Sequence, residues 1–217
     1  IIVSAIDSIH FDVMDGACVP RFGLYPEILA RLRTLTDMPV DAHIMVDNPE
    51  LHIQTFADVG TDIYYVHVEN NRNLHRTLRL IKGAGMKPGV VLNMATPINV
   101  LDYILKDIDY IMLMAINPGI VGHALIETIY DKIIDVKKRI RETEIKIAID
   151  GGVTLESSAR MIEAGADILV CGSSTIFRPK EGCLSEVTRK YLNHVNSELE
   201  NYVNGRAFCH ADQCEES

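Results

Sequence analysis

Four polar side chains stand at the ends of stretches that otherwise have the pattern of β-strands. His10 and Asp12 are two residues apart in one such stretch, so both point to the same face. His43 lies in the next stretch, and Asp150 ends a later one. Buried imidazoles and carboxylates are costly unless they bind one another or a cation. Each residue alone is more simply a satisfied polar group, but the four together predict a site for one divalent ion: Zn²⁺, Fe²⁺, Mn²⁺ or Co²⁺.

Three glycine-rich turns form a second group late in the chain, each directly after a strand pattern. They are Asn117-Pro118-Gly119 with Gly122, Asp150-Gly151-Gly152, and Cys171-Gly172-Ser173. Glycine lets the backbone approach a phosphate closely, and barrels commonly hold phosphate at the turns after their last two strands. Each turn alone is most simply a tight strand-to-helix connection. Together at one end of one sheet, the three turns favour a phosphate-binding role.

Distant stretches must meet for either site to form, and the chain alternates strand and helix patterns. The predicted strands are 8–13, 40–46, 62–68, 87–92, 109–115, 145–150 and 167–171. The predicted helices are 26–35, 49–59, 73–84, 97–105, 124–141, 155–164 and 185–202. A weak repeat, Gly60-Thr61-Asp62 and Gly165-Ala166-Asp167, stands before two of the strands, where the aspartate can sit at the turn into the sheet. Strict alternation implies a parallel sheet. Because no Gly-x-Gly-x-x-Gly turn follows Val13, an α/β barrel is favoured over an open dinucleotide-binding sheet.

Composition limits the classes of function. The 217 residues include 21 Lys and Arg against 30 Asp and Glu, a net charge of −9, which argues against nucleic-acid binding. No apolar run approaches the ~20 residues of a membrane-spanning helix, and no signal peptide is visible. Five cysteines at irregular spacing favour a reducing compartment. We therefore expect a cytoplasmic protein that binds a small molecule and neither nucleic acid nor membrane.

At its polar strand ends the chain resembles the ribulose-phosphate 3-epimerase family, from about residue 7 to about residue 177. The similar segments are 9–16 with Val19-Pro20, 41–46 with Asn48-Pro49, 89–97, Met114 with 117–119, and 150–153. The resemblance implies a (β/α)8 TIM barrel, an α/β fold, that acts as a metal-dependent epimerase on a ketose phosphate. A homo-oligomer is also expected.

The resemblance implies specific roles. His10, Asp12, His43 and Asp150 would be the metal ligands, and Asp12 and Asp150 the acid/base pair that inverts C3 through a metal-stabilised enediolate. Residues expected to line the site are Met14, Met45 and Met114. Those expected to bind the substrate or its phosphate are His43, Gly119, Gly122, Gly151, Gly152, Gly172 and Ser173. His67 and Glu69 are candidates for a supporting layer behind the ligands.

The chain also departs from the family. Its first strand and most of its first helix are missing, so we expect seven βα units in one domain at 1–203, with a frayed polar tail at 204–217. We expect a fragment, the alternative being an inactive barrel that binds a sugar phosphate. Val121 and His123 replace the usual Gly and Gln, so D-allulose 6-phosphate stands beside the favoured pair, D-ribulose and D-xylulose 5-phosphate. A metal hydrolase is a further alternative. The tail's Cys209, His210 and Cys214 are too few and too poorly spaced for a structural zinc.

Overall fold

A single parallel sheet organises the chain. The computed structural model describes residues 6–119, 122, 124–177 and 180–211. Its strands are β1 (Ile9–Met14), β2 (Val40–Met45), β3 (Ile63–His67), β4 (Lys87–Leu92), β5 (Tyr110–Met114), β6 (Lys146–Asp150) and β7 (Ile168–Leu169). They lie in chain order, and every neighbouring pair is parallel. The described residues thus contain the seven strands that the sequence predicts, and the (β/α) barrel class is confirmed.

Helices connect most of the strands. They are α1 (Pro26–Arg33), α2 (Ile53–Asp58), α3 (Leu74–Gly83), α4 (Ile129–Arg139), α5 (Leu155–Ala164) and α6 (Leu184–Ala211). Short 3₁₀ helices occupy Pro49–His52, Ile98–Leu101 and Leu105–Asp107. No helix within the described ranges is long and apolar enough to span a bilayer.

Three predicted helices need correction. The α-helix expected at 97–105 is wrong: β-branched Ile98 and Val100 beside Asn99 and Asp102 disfavour a regular helix, and only 3₁₀ turns form. The helix expected from residue 124 begins at Ile129, because the Ile126 N–H donates instead to the carbonyl of Ala115 after β5. The last helix runs to Ala211, into the segment predicted as a frayed tail, and residues 212–217 lie outside the described residues.

Side chains alternate between the two faces of the strands. The larger apolar cluster lies between sheet and helices and includes Ile44, Val66, Ile111 and Ile147. A smaller cluster faces the inside of the curved sheet and includes Tyr65, Val91, Met112 and Met114. Gly89 shares this inner layer, where a Cβ would lie 2.3 Å from the Tyr65 ring. The inner layer leads towards the carboxyl ends of the strands, where the polar residues stand.

The amino ends of the strands carry a different arrangement. Asp62 accepts a hydrogen bond from the Val40 N–H at 2.8 Å and pairs with Arg33. Asp167 accepts from the Ile147 N–H at 2.9 Å and pairs with Lys137 at 3.1 Å. The two aspartates therefore stand at the turn into the sheet, as predicted, and each also binds the backbone of the preceding strand, which the sequence did not indicate.

Candidate metal centre and active site

Strand register brings the predicted ligands together. Asp12 on β1 stands opposite His43 on β2, and His10 stands opposite Asp41. Asp150 ends β6, and three strands separate it from β2 in the sheet. Its Oδ2 nevertheless lies 3.4 Å from His43 Nδ1, so the sheet curls until these strand ends meet.

One potential ligand atom from each of His10, Asp12, His43 and Asp150 lies within 4.8 Å of the others. His43 Nδ1 is 3.2 Å from Asp12 Oδ1, and His10 Nε2 is 3.2 Å from the same oxygen. The imidazole of His43 is fully buried. Two nitrogens and two carboxylate oxygens at this spacing suit a divalent transition metal.

An unpaired buried atom supports the fit of a cation. His10 Nε2 is buried and makes no hydrogen bond, although Asp12 is near. The other ring nitrogen, Nδ1, lies 2.5 Å from Asp41 Oδ1 and donates its hydrogen there. In the neutral ring the lone pair of Nε2 is therefore left without a hydrogen-bond partner, 3.2 Å from Asp12 Oδ1. A metal ion would accept this lone pair, and the carboxylate behind the ring would orient it.

The charges around the centre favour a cation. Burial opposes ionisation of Asp12, but the neighbouring imidazoles of His10 and His43 outweigh it and hold the pKa of that carboxyl far below its usual range. Burial would lower the pKa of His10, yet Asp41 and Asp12 raise it well above the ordinary value. The pKa of His43 is likewise raised, against burial, by Asp12 and Asp150. The protein thus stabilises added positive charge where the four side chains meet.

A cavity of about 530 Å³ opens beside Asp12 and Asp150. Every other predicted site residue except the two histidines also lines it: Met14, Met45, Met114, Gly119, Gly122, Gly151, Gly152, Gly172 and Ser173. His10 and His43 lie behind this wall. The space is large enough for a small phosphorylated sugar, since ligand pockets typically measure about 300–1,000 Å³.

Glycine is required at the turn after β6. Gly151 and Gly152 have φ of 85° and 64°, a region that other residues rarely adopt. A Cβ on Gly151 would lie 2.3 Å from Ile116, and one on Gly152 would lie 2.7 Å from Leu125. Val121 and His123, the two departures from the family pattern, lie outside the described residues.

Some of the site escaped sequence reasoning. Asp41 holds His10, and its only signal was its position two residues before His43 on the same strand face. Arg21, Phe22 and Phe177 line the cavity from connecting segments whose course no local pattern predicts. His67, a candidate for the supporting layer, lies 2.9 Å from His43 through the two Nε2 atoms.

Comparison with known proteins agrees with this geometry. The profile of the ribulose-phosphate 3 epimerase family matches residues 2–177. The chain belongs to the ribulose-phosphate 3-epimerase family. Ribulose-phosphate 3-epimerase of Bacillus subtilis (strain 168) is 44% identical over 171 residues, which cover 77% of this chain and 79% of that protein. The enzyme of the same name from Aquifex aeolicus (strain VF5) is 40% identical over 187 residues, covering 85% and 82%.

As a member of the ribulose-phosphate 3-epimerase family, the chain is an enzyme of the isomerase class, in the group of racemases and epimerases. Its fold also resembles that of KGPDC from Streptococcus mutans, whose crystal structure is known. That likeness has a TM-score of 0.69 at 13% identity and covers 89% of this chain and 87% of the other. At such low identity the likeness concerns the barrel alone.

Proposed function

We propose that this protein inverts C3 of a ketose phosphate, interconverting D-ribulose 5-phosphate and D-xylulose 5-phosphate. The observation that carries the proposal is the meeting of Asp12 and Asp150 with two imidazole lone-pair donors at the wall of a cavity. Family membership supports the reaction class, and the glycine turns on the same cavity support a phosphorylated substrate.

The four converging side chains would hold the cation. Two of the ligand atoms would be Nε2 of His10 and Nδ1 of His43, and each aspartate would add one carboxylate oxygen. When bound, a divalent ion supplies Lewis acidity that favours negative charge on the oxygens beside the reacting carbon. Which divalent ion serves is left to metal analysis of the protein.

Asp12 and Asp150 move the proton. They stand on β1 and β6, so they reach the cavity from different strands of the curled sheet. One carboxylate removes the C3 proton from one face, and the other carboxyl returns a proton to the opposite face. The two must hold opposite protonation states at each stage. Because the reaction is reversible, each residue serves as acid in one direction and as base in the other.

Methionines shape the space around the reacting carbon. Met45 and Met114 are almost fully buried, and Met14 joins them along the cavity. Thioether side chains are apolar and adaptable, so they pack against a sugar without competing for its proton. They would also keep water away from the two carboxylates.

The phosphate would bind at the turns after the last two strands. Gly151 and Gly152 follow β6, and Gly172 and Ser173 follow β7. Backbone amides at such turns can surround a phosphate, helped by the amino end of the following helix. Helix α5 begins just after Thr154, whose side chain caps it by accepting from the Ser157 N–H.

Hydrogen exchange in deuterated water tests the proposal. Protein loaded with a divalent metal is incubated with D-ribulose 5-phosphate and, separately, with D-allulose 6-phosphate, and both are followed by NMR. We expect deuterium at C3 of the first sugar together with its conversion to D-xylulose 5-phosphate. Exchange only in the six-carbon sugar would show that D-allulose 6-phosphate is the substrate instead. Release of inorganic phosphate without exchange would indicate a hydrolase, and binding without exchange an inactive barrel.

Two further predictions concern the protein's cellular location and its oligomeric state. Cys18, Cys171 and Cys183 are free thiols, which suits the cytoplasmic location that we propose. A homo-oligomer also stays a prediction, and its mass in solution would test it.

A further inference from the structure

The nitrogen of His43 that faces away from the candidate metal centre meets a second imidazole. His43 Nε2 lies 2.9 Å from His67 Nε2, and the two rings stack with centroids 5.1 Å apart. The other nitrogen of His67, Nδ1, lies 3.3 Å from Glu69 Oε2. His43 and His67 are 0% and 3% exposed, so bulk water has little access to either ring. His67 and Glu69 thus form a chain that ends on the nitrogen opposite the one facing Asp12 and Asp150.

Glu69 determines where the protons of this chain stand. A hydrogen bond between two nitrogens needs one donor and one acceptor. A carboxylate only accepts, so the hydrogen of a neutral His67 lies on Nδ1 and its Nε2 carries a lone pair. His43 Nε2 must then be the donor. In the neutral His43 ring that binds a cation, Nδ1 is then left with its lone pair, beside Asp12 Oδ1 at 3.2 Å and Asp150 Oδ2 at 3.4 Å.

The carboxylate is itself fixed by the loop after β4. Glu69 Oε1 accepts from the Asn93 N–H at 2.9 Å and from the Thr96 hydroxyl. Lys132 on α4 is buried and donates to the carbonyls of Asn93 and Thr96 at 2.6 and 2.8 Å. The loop therefore presents two donors to one oxygen of Glu69 and leaves the other oxygen for His67.

We propose that Glu69, acting through His67, is a positioning residue that fixes the tautomer of His43 and so sets the protein's affinity for its divalent cation. The proposal rests on the proposed function, because it takes His10, Asp12, His43 and Asp150 as the cation site. His10 is held differently, since Asp41 accepts directly from its Nδ1. One ligand is thus oriented by a neighbouring carboxylate, and the other by a carboxylate that acts across a second ring.

Glu69→Gln tests the direction of the chain. The Asn93 N–H still needs an acceptor, so the amide oxygen stays with the loop and the NH₂ group turns to His67. His67 Nδ1 must then accept, its Nε2 becomes the donor, and His43 is left with its hydrogen on Nδ1. Loss of such a partner behind a ligand weakens metal binding about 10–100-fold. We expect a loss of that size for Co²⁺, measured by competition with a coloured chelator.

Thr96→Val is the matched control, because it removes one donor to Glu69 while leaving a carboxylate beside His67. It should bind Co²⁺ as the unmodified protein does. Two-bond ¹⁵N–¹H NMR of the unmodified protein loaded with Zn²⁺ should show the hydrogen of His43 on Nε2 and that of His67 on Nδ1.

Three results would overturn the proposal. Equal Co²⁺ affinity in Glu69→Gln and the unmodified protein would leave the proposed function standing and remove the role of Glu69. An equal loss in Thr96→Val would reduce that role to support of the loop. Failure of the unmodified protein to bind Co²⁺ would overturn the proposed metal site as well, and the two failures are thereby distinguished.

Discussion

Aspartates at the amino and carboxyl ends of the strands have different partners and different roles. At the amino ends, Asp62 and Asp167 accept hydrogen bonds from backbone N–H groups and form ion pairs with Arg33 and Lys137. At the carboxyl ends, the Asp12 side chain contacts only imidazoles among the polar groups that the structure describes, and it faces a cavity. The residue type is the same, but its partners differ. A carboxylate that is hydrogen-bonded to the backbone stabilises the fold. One that lies beside imidazoles and a cavity can instead bind a cation or transfer a proton.

The largest effect is expected from neutralising the aspartates at the carboxyl ends of the strands. Asp12→Asn and Asp150→Asn each remove one proton-transfer group, so we expect kcat to fall by about 10²–10⁴-fold or more. Asp131→Asn, on the exposed face of α4, is the control and should keep its activity. Near-full activity in either active-site variant would contradict the two-carboxylate mechanism.

Two glycines with nearly the same positive φ allow a matched test of packing at the two ends. Gly151 follows β6 with φ of 85°, and Gly85 precedes β4 with φ of 86°. An added Cβ would collide with Ile116 at position 151 but would meet no atom within 4 Å at position 85. Gly85→Ala should cost about 1–2 kcal/mol of unfolding free energy for the strained conformation.

The collision should cost Gly151→Ala a further ~1–3 kcal/mol. This variant should also raise KM for the sugar phosphate, because its turn lines the cavity. Urea unfolding and steady-state kinetics measure both effects. Equal losses of stability at the two positions would show that Ile116 moves aside without cost.

Lowering the pH should reduce the free energy of unfolding through protonation of Glu69. Burial opposes its ionisation, but His67, Thr96 and the Asn93 N–H lower the pKa of Glu69 from 4.5 to about 2. The folded pKa lies below the unfolded one, so the stabilisation is fully present above pH 4.5 and is lost as pH falls towards 2. With solvent reaching part of the side chain, we expect about 1–2 kcal/mol.

Urea unfolding of metal-free protein at pH 6 and pH 3 measures this contribution. The difference in unfolding free energy between the unmodified protein and Glu69→Gln should shrink at the lower pH. A difference that stays constant would show that Glu69 has the same pKa folded and unfolded.

The smallest effect is expected at the amino ends. Asp167→Asn keeps an oxygen for the Ile147 N–H and loses only its part-exposed ion pairs with Lys137 and Lys146, so it should cost up to about 1 kcal/mol. Asp167→Ala leaves that N–H without its acceptor and should cost about 1–3 kcal/mol. Both variants should retain kcat. A large fall in kcat from either would contradict the division of work between the two ends.

Features that depend on residue types within one segment could be predicted from the sequence, whereas features that depend on contacts between distant segments could not. The four ligand candidates could be found because histidine and aspartate are uncommon within buried strand patterns, and parallel strands bring their carboxyl ends to one edge. Asp41 could not be assigned, since its role depends on the register of β1 against β2. The α-helix predicted at 97–105 was wrong, because its β-branched and polar residues disfavour a regular helix. The roles of His67 and Glu69 needed the position of the loop after β4, which Lys132 holds from a distant helix.

Location of the bound metal tests the central claim most directly. A crystal of protein loaded with Zn²⁺ is measured on both sides of the zinc absorption edge, so that anomalous differences show the ion. We predict one peak in contact with His10, Asp12, His43 and Asp150, with Nε2 of His10 and Nδ1 of His43 as the nitrogen ligands. A zinc peak elsewhere, or one that lacks either aspartate, would contradict the account.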